Sequence, residues 1–212
     1  MTEEHSTGRK IKAVVFDYGG VIELREGSSL MIISGILGVP LEDFKNIYFQ
    51  HNHLSNVNNM AWEDMIIKIA SFFDDSKERE EKIRSTLKNR SSRINTGLFP
   101  LFSALRRQGI RVGILSNATF ALREKLRTQG IADMVDEIVI SGEIGFQKPH
   151  KEAFEILFEK LHLQPGEVVF IDDTRKSLEK AHEIGYVPIL FKNNEQLEDD
   201  LRKLGIEASA LR

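Results

Sequence analysis

Two patterns of hydrophobic and polar positions divide this chain. From residue 98 onward, short apolar runs alternate with stretches in which apolar residues recur at helical spacing. Apolar runs of four or five residues between polar flanks indicate strands that are buried on both faces. With one more run near the N-terminus, the predicted strands are residues 13–16, 111–115, 137–140, 168–171 and 187–191. The predicted helices that alternate with them are residues 98–108, 120–129, 151–161, 178–184 and 195–204.

Strands that alternate with helices of this length form right-handed βαβ units and a parallel sheet. Residues 24–94 interrupt the pattern, because their apolar residues recur only at helical spacing and no strand is predicted there. The predicted helices of this stretch are residues 29–37, 41–51, 60–73 and 77–88. We therefore expect an α/β protein, a doubly wound, Rossmann-like parallel sheet with an all-α cap inserted after strand one. The expected core is residues 1–23 and 95–212, with 1–10 as a loose tail, and the expected cap is residues 24–94.

Composition and charge narrow the class of protein. The 212 residues are 41% hydrophobic and 29% charged, which is the balance of a soluble globular protein. The formal net charge of −3 gives no general attraction for nucleic acid or for an anionic membrane. The absence of cysteine excludes disulfides and thiolate chemistry, and His51 and His53 are too few for a zinc site by themselves. Without a bilayer-spanning run or a signal-peptide core, a cytoplasmic location is expected by default, and the oligomeric state is undetermined.

Polar residues with catalytic potential follow four of the predicted strands. Because the carboxyl ends of parallel strands lie at one edge of a sheet, we expect these side chains to converge there. They are Asp17 after the first strand, Ser116 and Asn117 after the second, Lys148 in the loop after the third, and Asp172 with Asp173 after the fourth. This set is typical of phosphoryl transfer, in which carboxylates hold a divalent cation and the cation, an ammonium and a hydroxyl counter phosphate charge.

Each of these residues taken alone also has a purely structural interpretation. Asp17 is compatible with a turn residue, Ser116 with a helix cap and Lys148 with a solvated loop charge. Asp172 and Asp173 are compatible with a pair of N-cap residues before the next helix. Two adjacent buried carboxylates without a partner would repel each other, however, so a bound cation is the more economical explanation.

The order of the motifs and their residues resemble those of the haloacid dehalogenase-like superfamily of hydrolases. FDYGGVI at residues 16–22 is similar to its first motif, and ILSN at 114–117 is similar to its second. GFQKPHKEAF at 145–154 resembles the third motif, and VFIDDTRKSLEKAHEIG at 169–185 resembles the fourth, which is the most specific. The resemblance covers residues 13–191, and the helical insertion matches the cap of one large branch of the superfamily.

The resemblance implies a nucleophile and a metal site. Asp17 would attack phosphorus and form an aspartyl-phosphate. Mg²⁺ would be the cofactor, held by Asp17, by the backbone carbonyl of Gly19 and by Asp173. Asp172 would lie close to the ion or act through a water molecule.

The resemblance also implies how the phosphoryl group is bound. At one position this chain differs from the pattern of the superfamily. Ser116 and Lys148 would bind the phosphoryl oxygens, with Asn117 beside them. Phosphatases of the superfamily usually carry a second Asp two residues after the nucleophile, as general acid and base. This chain has Gly19 at that position, and a glycine transfers no proton. Glu23, in the turn after the first strand, is the first candidate for a substitute acid.

The predicted function is a Mg²⁺-dependent phosphatase whose partner is a small phosphorylated metabolite, enclosed between core and cap. The nearest relatives by motif are a phosphatase-like group with an FDxGG or FDxGN first motif. One alternative is a 2-haloacid dehalogenase, against which the intact pair Asp172 and Asp173 argues. Another is a weakly active or inactive binding or regulatory protein, which only Gly19 favours. A phosphotransferase or mutase is not separated from a hydrolase by these residues.

Overall fold

The computed structural model describes residues 10–208, so residues 1–9 of the predicted loose tail lie outside the described part. The strands are β1 (Ala13–Phe16), β2 (Glu23–Arg25), β3 (Ser92–Ile94), β4 (Arg111–Ser116), β5 (Glu137–Ile140), β6 (Val168–Asp172) and β7 (Val187–Leu190). The α-helices are α1 (Ser29–Leu37), α2 (Leu41–His51), α3 (His53–Asn56), α4 (Trp62–Ala70), α5 (Lys77–Lys88), α6 (Leu98–Arg107), α7 (Ala121–Thr128), α8 (Ser141–Ile144), α9 (Lys151–Leu161), α10 (Arg175–Leu178), α11 (Ala181–Ile184) and α12 (Asn194–Lys203). Among these, no helix combines the length and the apolar character that a membrane crossing requires.

Five of the strands form one parallel sheet in the order β5-β4-β1-β6-β7. The first strand in the chain is thus the central strand, with Ala13 opposite Arg111 on one side and Val168 on the other. All four residues of β1 are fully buried, as expected for a strand that helices cover on both faces. The predicted doubly wound parallel sheet is confirmed.

Helices pack on both faces of the sheet, and the alternation of side chains along each strand supplies both contacts. On one face Phe16 meets Phe102 of α6, with the ring centroids 4.9 Å apart. On the other face Phe154 of α9 meets Phe170 of β6, with the centroids 5.3 Å apart. These two apolar layers fix the plane of the sheet and therefore the place where its strands end.

The bounds of the sheet strands agree with the sequence prediction to within one residue at each end. One predicted helix is partly wrong. Residues 178–184 do not form a single helix, because the backbone leaves helical geometry at Lys180, with φ −97° and ψ 10°. Two one-turn helices, α10 and α11, take its place.

Helices α1 to α5, here called the helical segment, surround a hydrophobic cluster separate from the two clusters of the sheet. Its fully buried members are Ile33, Phe44, Met65, Ile66, Ile69 and Ile83. At the ends of the segment β2 and β3 pair antiparallel, with Glu23 opposite Ile94. The expectation that residues 24–94 contain no strand is therefore wrong, because strands of three residues are too short to show a period of two. The division into a core and a cap stays a prediction.

Candidate active site

The carboxyl ends of the central strands open into a cleft of about 800 Å³ that the helical segment also lines. Asp17 follows β1 directly, Ser116 ends β4 and Asp172 ends β6. Since these three strands are neighbours in the sheet, their side chains arrive at one place. Lys148 reaches the same place from the loop that follows α8. The structure thus brings together residues that are far apart in the sequence, as the topology requires.

A buried ammonium lies between two of the carboxylates. The Nζ atom of Lys148 lies 2.9 Å from Asp17 Oδ1 and donates a hydrogen bond of 2.6 Å to Asp172 Oδ2. Only 2% of the Lys148 side chain is exposed, so these charges interact with little screening by water. Burial opposes protonation of Lys148, but Asp17 and Asp172 outweigh it and raise the pKa of the ammonium. Lys148 is therefore held in its charged form.

Asp17 is the least compensated group of the site. Burial raises the pKa of the Asp17 carboxyl to about 7, against the opposing charge of Lys148, and the nearby charge of Asp172 adds to the increase. Within residues 10–208, Asp17 Oδ1 is the one buried side-chain polar atom that completes no hydrogen bond. Its ion pair with Lys148 lacks hydrogen-bond geometry. A buried oxygen without a hydrogen bond is uncommon in folded proteins, and this one is available to accept from or to coordinate a ligand.

Asp17, Asp172 and Asp173 form an acidic cluster in which one oxygen of each lies within 4.8 Å of the others. Asp173 is exposed at its outer side, and partial burial together with the charge of Asp172 raises the pKa of its carboxyl. One ammonium, that of Lys148, pairs with two of the three carboxylates, those of Asp17 and Asp172. Oxygen donors with an excess of negative charge suit a hard divalent cation. The residues present therefore fit a divalent metal ion.

The four oxygens of the acidic pair are not equally available. Asp172 accepts from Lys148 through Oδ2 and from the backbone N–H of Thr174 through Oδ1, at 2.8 Å. Asp173 accepts from the Thr174 hydroxyl through Oδ1 only, at 3.1 Å. Asp173 Oδ2 accepts no hydrogen bond among the described residues. Asp173 is thus free for direct ligation, whereas Asp172 is already engaged in holding Lys148.

The glycines after Asp17 bring the backbone close to the acidic cluster. Gly20 has φ +80°, and a Cβ atom there would lie 2.2 Å from Asp173 Oδ2. Both the left-handed backbone and the close approach of Asp173 require glycine at this position. Within residues 10–208, no hydrogen bond uses the carbonyl of Gly19. That carbonyl is therefore available as a further oxygen donor.

Ser116 and Asn117 have different surroundings. Ser116 is 4% exposed and lines the cleft, and its hydroxyl makes no hydrogen bond to any other described residue. Asn117 instead donates to the carbonyl of Lys148 at 3.0 Å and accepts from its N–H at 2.8 Å. Both polar atoms of the Asn117 side chain thus hold the backbone of Lys148. The hydroxyl of Ser116 is free to donate to a ligand, and Asn117 positions the lysine.

The position without a carboxylate lies open to the cleft. Gly19 lines the cleft, and a Cβ atom there would have no heavy atom within 4 Å. Glu23, the candidate substitute acid, is buried and accepts from Lys125, Arg25 and Ser92 at 2.5, 2.9 and 3.0 Å. Burial raises the pKa of Glu23, but the hydrogen bonds and charges of Lys125 and Arg25 outweigh it and lower the pKa. A carboxylate held in its ionised form is a poor proton donor, so Glu23 does not suit the role of general acid.

The sequence analysis missed one wall of the cleft. We call it the basic wall, and it consists of Arg25, Tyr48, Trp62 and Lys125. In the sequence, its aromatic members belong to helical stripes and its cations resemble surface charges, so no pattern distinguishes them. His51 and His53 do not line the cleft, because each ring instead contacts a backbone carbonyl of its own helical region.

Side-chain amides connect the helical segment to the loops of the sheet. Gln147 accepts from Asn56 at 2.9 Å and donates to Asn52 at 3.2 Å. Asn59 donates to the carbonyl of Gly142 at 2.8 Å, and a Cβ atom on Gly142 would lie 2.2 Å from the Asn59 side chain. Because Gln147 directly precedes the lysine of the site, the helical segment contacts the loop that presents it.

Comparison with known proteins places these features in a family. A phosphatase from Mycobacterium tuberculosis is 27% identical, and the match covers 92% of this chain and 95% of that protein. A glyceraldehyde 3-phosphate phosphatase from Methanocaldococcus jannaschii is 31% identical, over 45% of this chain and 44% of that protein.

Solved structures share the fold. A HAD phosphatase from Thermococcus onnurineus superposes with a TM-score of 0.61 at 21% identity, covering 93% of this chain and 100% of that one. A HAD-like hydrolase from Porphyromonas gingivalis superposes with a TM-score of 0.64 at 19% identity, covering 93% and 98%. The model of the haloacid dehalogenase-like hydrolase family matches residues 11–185. The chain therefore belongs to the haloacid dehalogenase-like hydrolases, as its motifs predicted, and it is an enzyme of that family.

Proposed function

We propose that this enzyme is a Mg²⁺-dependent phosphatase that hydrolyses small phosphate esters through an aspartyl-phosphate on Asp17. One observation carries the proposal. The buried Asp17 carboxylate lies at the end of the central strand, 2.9 Å from Lys148 and beside the acidic pair, with one oxygen that completes no hydrogen bond. The phosphatase names of two relatives support the same reaction. Small phosphorylated metabolites are the proposed substrates, and the cytoplasm stays the predicted location.

The proposed reaction has two steps on phosphorus. In the first, an Asp17 oxygen bonds to phosphorus while the bond from phosphorus to the ester oxygen breaks. The electron pair of that bond stays on the alcohol oxygen, which takes a proton from water. In the second step a water molecule attacks phosphorus, and inorganic phosphate, the Asp17 carboxylate and a proton are released. The sum is one water consumed for each ester cleaved.

The chain's own residues organise this reaction. The Lys148 ammonium and the free Ser116 hydroxyl would counter the charge of the phosphoryl oxygens, which is the largest obstacle to attack by a carboxylate. Asn117 fixes the backbone of Lys148 through two hydrogen bonds, so its role in phosphate binding is indirect. Asp172 holds the lysine by a 2.6 Å hydrogen bond.

Asp17, Asp173 and the Gly19 carbonyl are the proposed Mg²⁺ ligands, because each offers an oxygen without a hydrogen bond among the described residues. Asp172 would stay close without direct ligation, since both its oxygens are engaged. When bound, Mg²⁺ would neutralise negative charge on the carboxylates and on the phosphoryl group. The acidic pair also argues against the dehalogenase alternative, whose chemistry requires no metal ion.

A paired assay tests the proposal. Release of p-nitrophenol from p-nitrophenyl phosphate is measured after EDTA treatment and after excess Mg²⁺ is restored, beside chloride release from 2-chloropropionate. We expect hydrolysis that EDTA abolishes and Mg²⁺ restores, with no chloride release. Chloride release, or hydrolysis that survives EDTA, would overturn the proposal. Equal yields of p-nitrophenol and inorganic phosphate in the presence of glycerol identify a hydrolase, whereas a phosphate deficit identifies a phosphotransferase.

A further inference from the structure

The basic wall borders open space on two sides. Arg25, Tyr48, Trp62 and Lys125 line the cleft that also contains Asp17, Ser116 and Asp173. A second cavity of about 430 Å³ shares Arg25, Trp62 and Lys125 with that cleft. The side chains of Arg25 and Lys125 are 46% and 44% exposed, and both residues line the cleft and the second cavity. A ligand in the cleft can therefore reach the wall.

One buried carboxylate holds both cations in place. The Glu23 side chain is 2% exposed, and it accepts from Lys125 through Oε1 and from Arg25 through Oε2. The Ser92 hydroxyl donates to Oε1 as well. Glu23 lies on β2, Ser92 on β3 and Lys125 on α7, so the arrangement is fixed by three elements. Cations that are already ordered lose little freedom when a ligand binds them.

The arrangement carries more positive charge than its structural role requires. A single cation balances the charge of Glu23, and the second leaves an excess of one positive charge at the cleft. Arg25 uses one amino group for Glu23, and its other N–H groups have no hydrogen-bond partner among residues 10–208. Planar guanidinium groups with free donors are suited to bind carboxylate or phosphate oxygens. The wall is thus equipped to bind an anion.

We infer that the preferred substrates carry a second anionic group, a carboxylate or another phosphate, which binds Arg25 and Lys125 while the scissile phosphoryl group occupies the site at Asp17. This inference rests on the proposed phosphatase function and specifies its substrate class. The rings of Tyr48 and Trp62 would contact the carbon atoms that join the two anionic groups. The two parts of the cleft thereby select a phosphate ester that carries a second anionic group over one whose carbon chain is uncharged.

The test compares three esters with the same three-carbon chain: propyl phosphate, 3-(phosphonooxy)propanoate and propane-1,3-diyl bisphosphate. Phosphate release gives kcat/KM for each, with p-nitrophenyl phosphate as the reference for basal activity. One charged hydrogen-bonded contact corresponds to about tenfold or more in kcat/KM, so the acidic esters should exceed propyl phosphate by at least that factor. Comparison of the carboxylate ester with the bisphosphate shows whether the second anionic group is preferred as a carboxylate or as a phosphate.

Variants locate the effect. The ratio of interest is kcat/KM for an acidic ester divided by kcat/KM for propyl phosphate. Arg25→Met should lower this ratio by about tenfold, and so should Lys125→Met. Arg84→Met is the matched control, because Arg84 is 43% exposed and pairs with Glu80 and Asp64 on the helical segment. That control should leave the ratio unchanged.

The outcomes separate this inference from the proposed function. If none of the phosphate esters is hydrolysed, the proposed function fails. The inference is wrong if p-nitrophenyl phosphate is hydrolysed but kcat/KM for propyl phosphate equals that for both acidic esters. It is also wrong if folded Arg25→Met and Lys125→Met proteins keep the wild-type ratio. The wild-type ratio decides by itself should both variants fail to fold.

Discussion

The acidic cluster and the basic wall lie in one cleft and differ in charge and in construction. The cluster contains three carboxylates at the ends of neighbouring parallel strands, and one ammonium pairs with two of them. The basic wall places two cations around one carboxylate, on a three-residue strand and a helix. The first has an excess of negative charge and the second an excess of positive charge.

The difference teaches how the fold separates chemistry from selection. Strand ends are fixed by the packing of the whole sheet, so groups that must meet with small tolerance lie there. The wall depends on β2, β3, α7 and the helical segment, but its four side chains belong to neither apolar layer of the sheet and can change without disturbing it. We therefore expect changes in the cluster to affect the rate on every substrate, and changes in the wall to affect the choice among substrates.

The largest effect is expected from Asp17→Asn. It should lower kcat by more than about 10³-fold, because an amide is not a carboxylate nucleophile. The free energy of unfolding should stay equal or rise, since the change removes a buried charge whose pKa is raised by burial and by Asp172 in spite of its pair with Lys148. The measurements are steady-state phosphate release and urea unfolding. The control is Asp133→Asn at an exposed site, and near wild-type turnover of Asp17→Asn would exclude Asp17 as the nucleophile.

The next effect concerns Gly19→Asp. General acid–base catalysis is worth about 10²–10⁴-fold, so the variant should gain up to this factor on primary alkyl phosphates and less on aryl phosphates. The site has room for the side chain, because a Cβ atom at Gly19 meets no heavy atom within 4 Å. The plot of log kcat/KM against leaving-group pKa should be steeper for the wild type. A phosphoryl mass increment on the Asp17 peptide should also accumulate in the wild type during turnover.

The control for this gain is Gly35→Asp, which adds a carboxylate at an exposed position of α1. It should leave the slope unchanged. Identical slopes for the wild type and Gly19→Asp would mean that another group already protonates the leaving alcohol. Glu23 has a lowered pKa and is held by ion pairs, which makes it a poor proton donor, so water would be the first alternative to test.

A smaller effect is expected from Asp173→Ala. Loss of an outer-shell partner costs roughly 10–100-fold in metal affinity, and loss of a direct ligand should cost at least as much. The Mg²⁺ concentration for half-maximal activity should therefore rise by about 100-fold or more. The titration is followed by phosphate release, with Asp199→Ala on the exposed face of α12 as the control. An unchanged half-maximal concentration would remove Asp173 from the metal site.

The sequence was sufficient for the sheet and for the acidic cluster. Buried parallel strands are continuous apolar runs, so β1 and the position of Asp17 at its end were both visible. The parallel direction of the strands followed from their alternation with helices, and the convergence of Asp172 and Lys148 at one edge followed from that direction. Each inference used a pattern that several consecutive residues share.

Other features depend on contacts between single residues, and no pattern in the amino-acid sequence predicts them. The antiparallel pair of β2 and β3 has three residues in each strand, too few for a detectable period. Asn117 was expected beside the phosphoryl group, and only its two hydrogen bonds to Lys148 reveal the positioning role. Arg25 and Lys125 are about 100 residues apart and meet at Glu23, which a linear sequence does not indicate.

The smallest effect tests the carboxylate that organises the basic wall. Glu23→Gln should lower the free energy of unfolding at pH 7 by about 1–2 kcal/mol, because hydrogen bonds from charged groups weaken and both partners are half-exposed. The pKa of folded Glu23 lies below its ordinary value of 4.5. The stabilisation is therefore complete above pH 4.5 and is lost as the pH falls through the folded-state pKa.

The stability difference between wild type and Glu23→Gln should accordingly shrink between pH 4.5 and pH 3, measured by urea unfolding at each pH. Glu124→Gln on α7 is the matched control, because its pair with Arg127 is 65–69% exposed and contributes little at any pH. A difference that stays constant down to pH 3 would mean that Glu23 acts by packing rather than by charge. The two cations would then be free to move, and the basic wall would lose the order on which its selectivity depends.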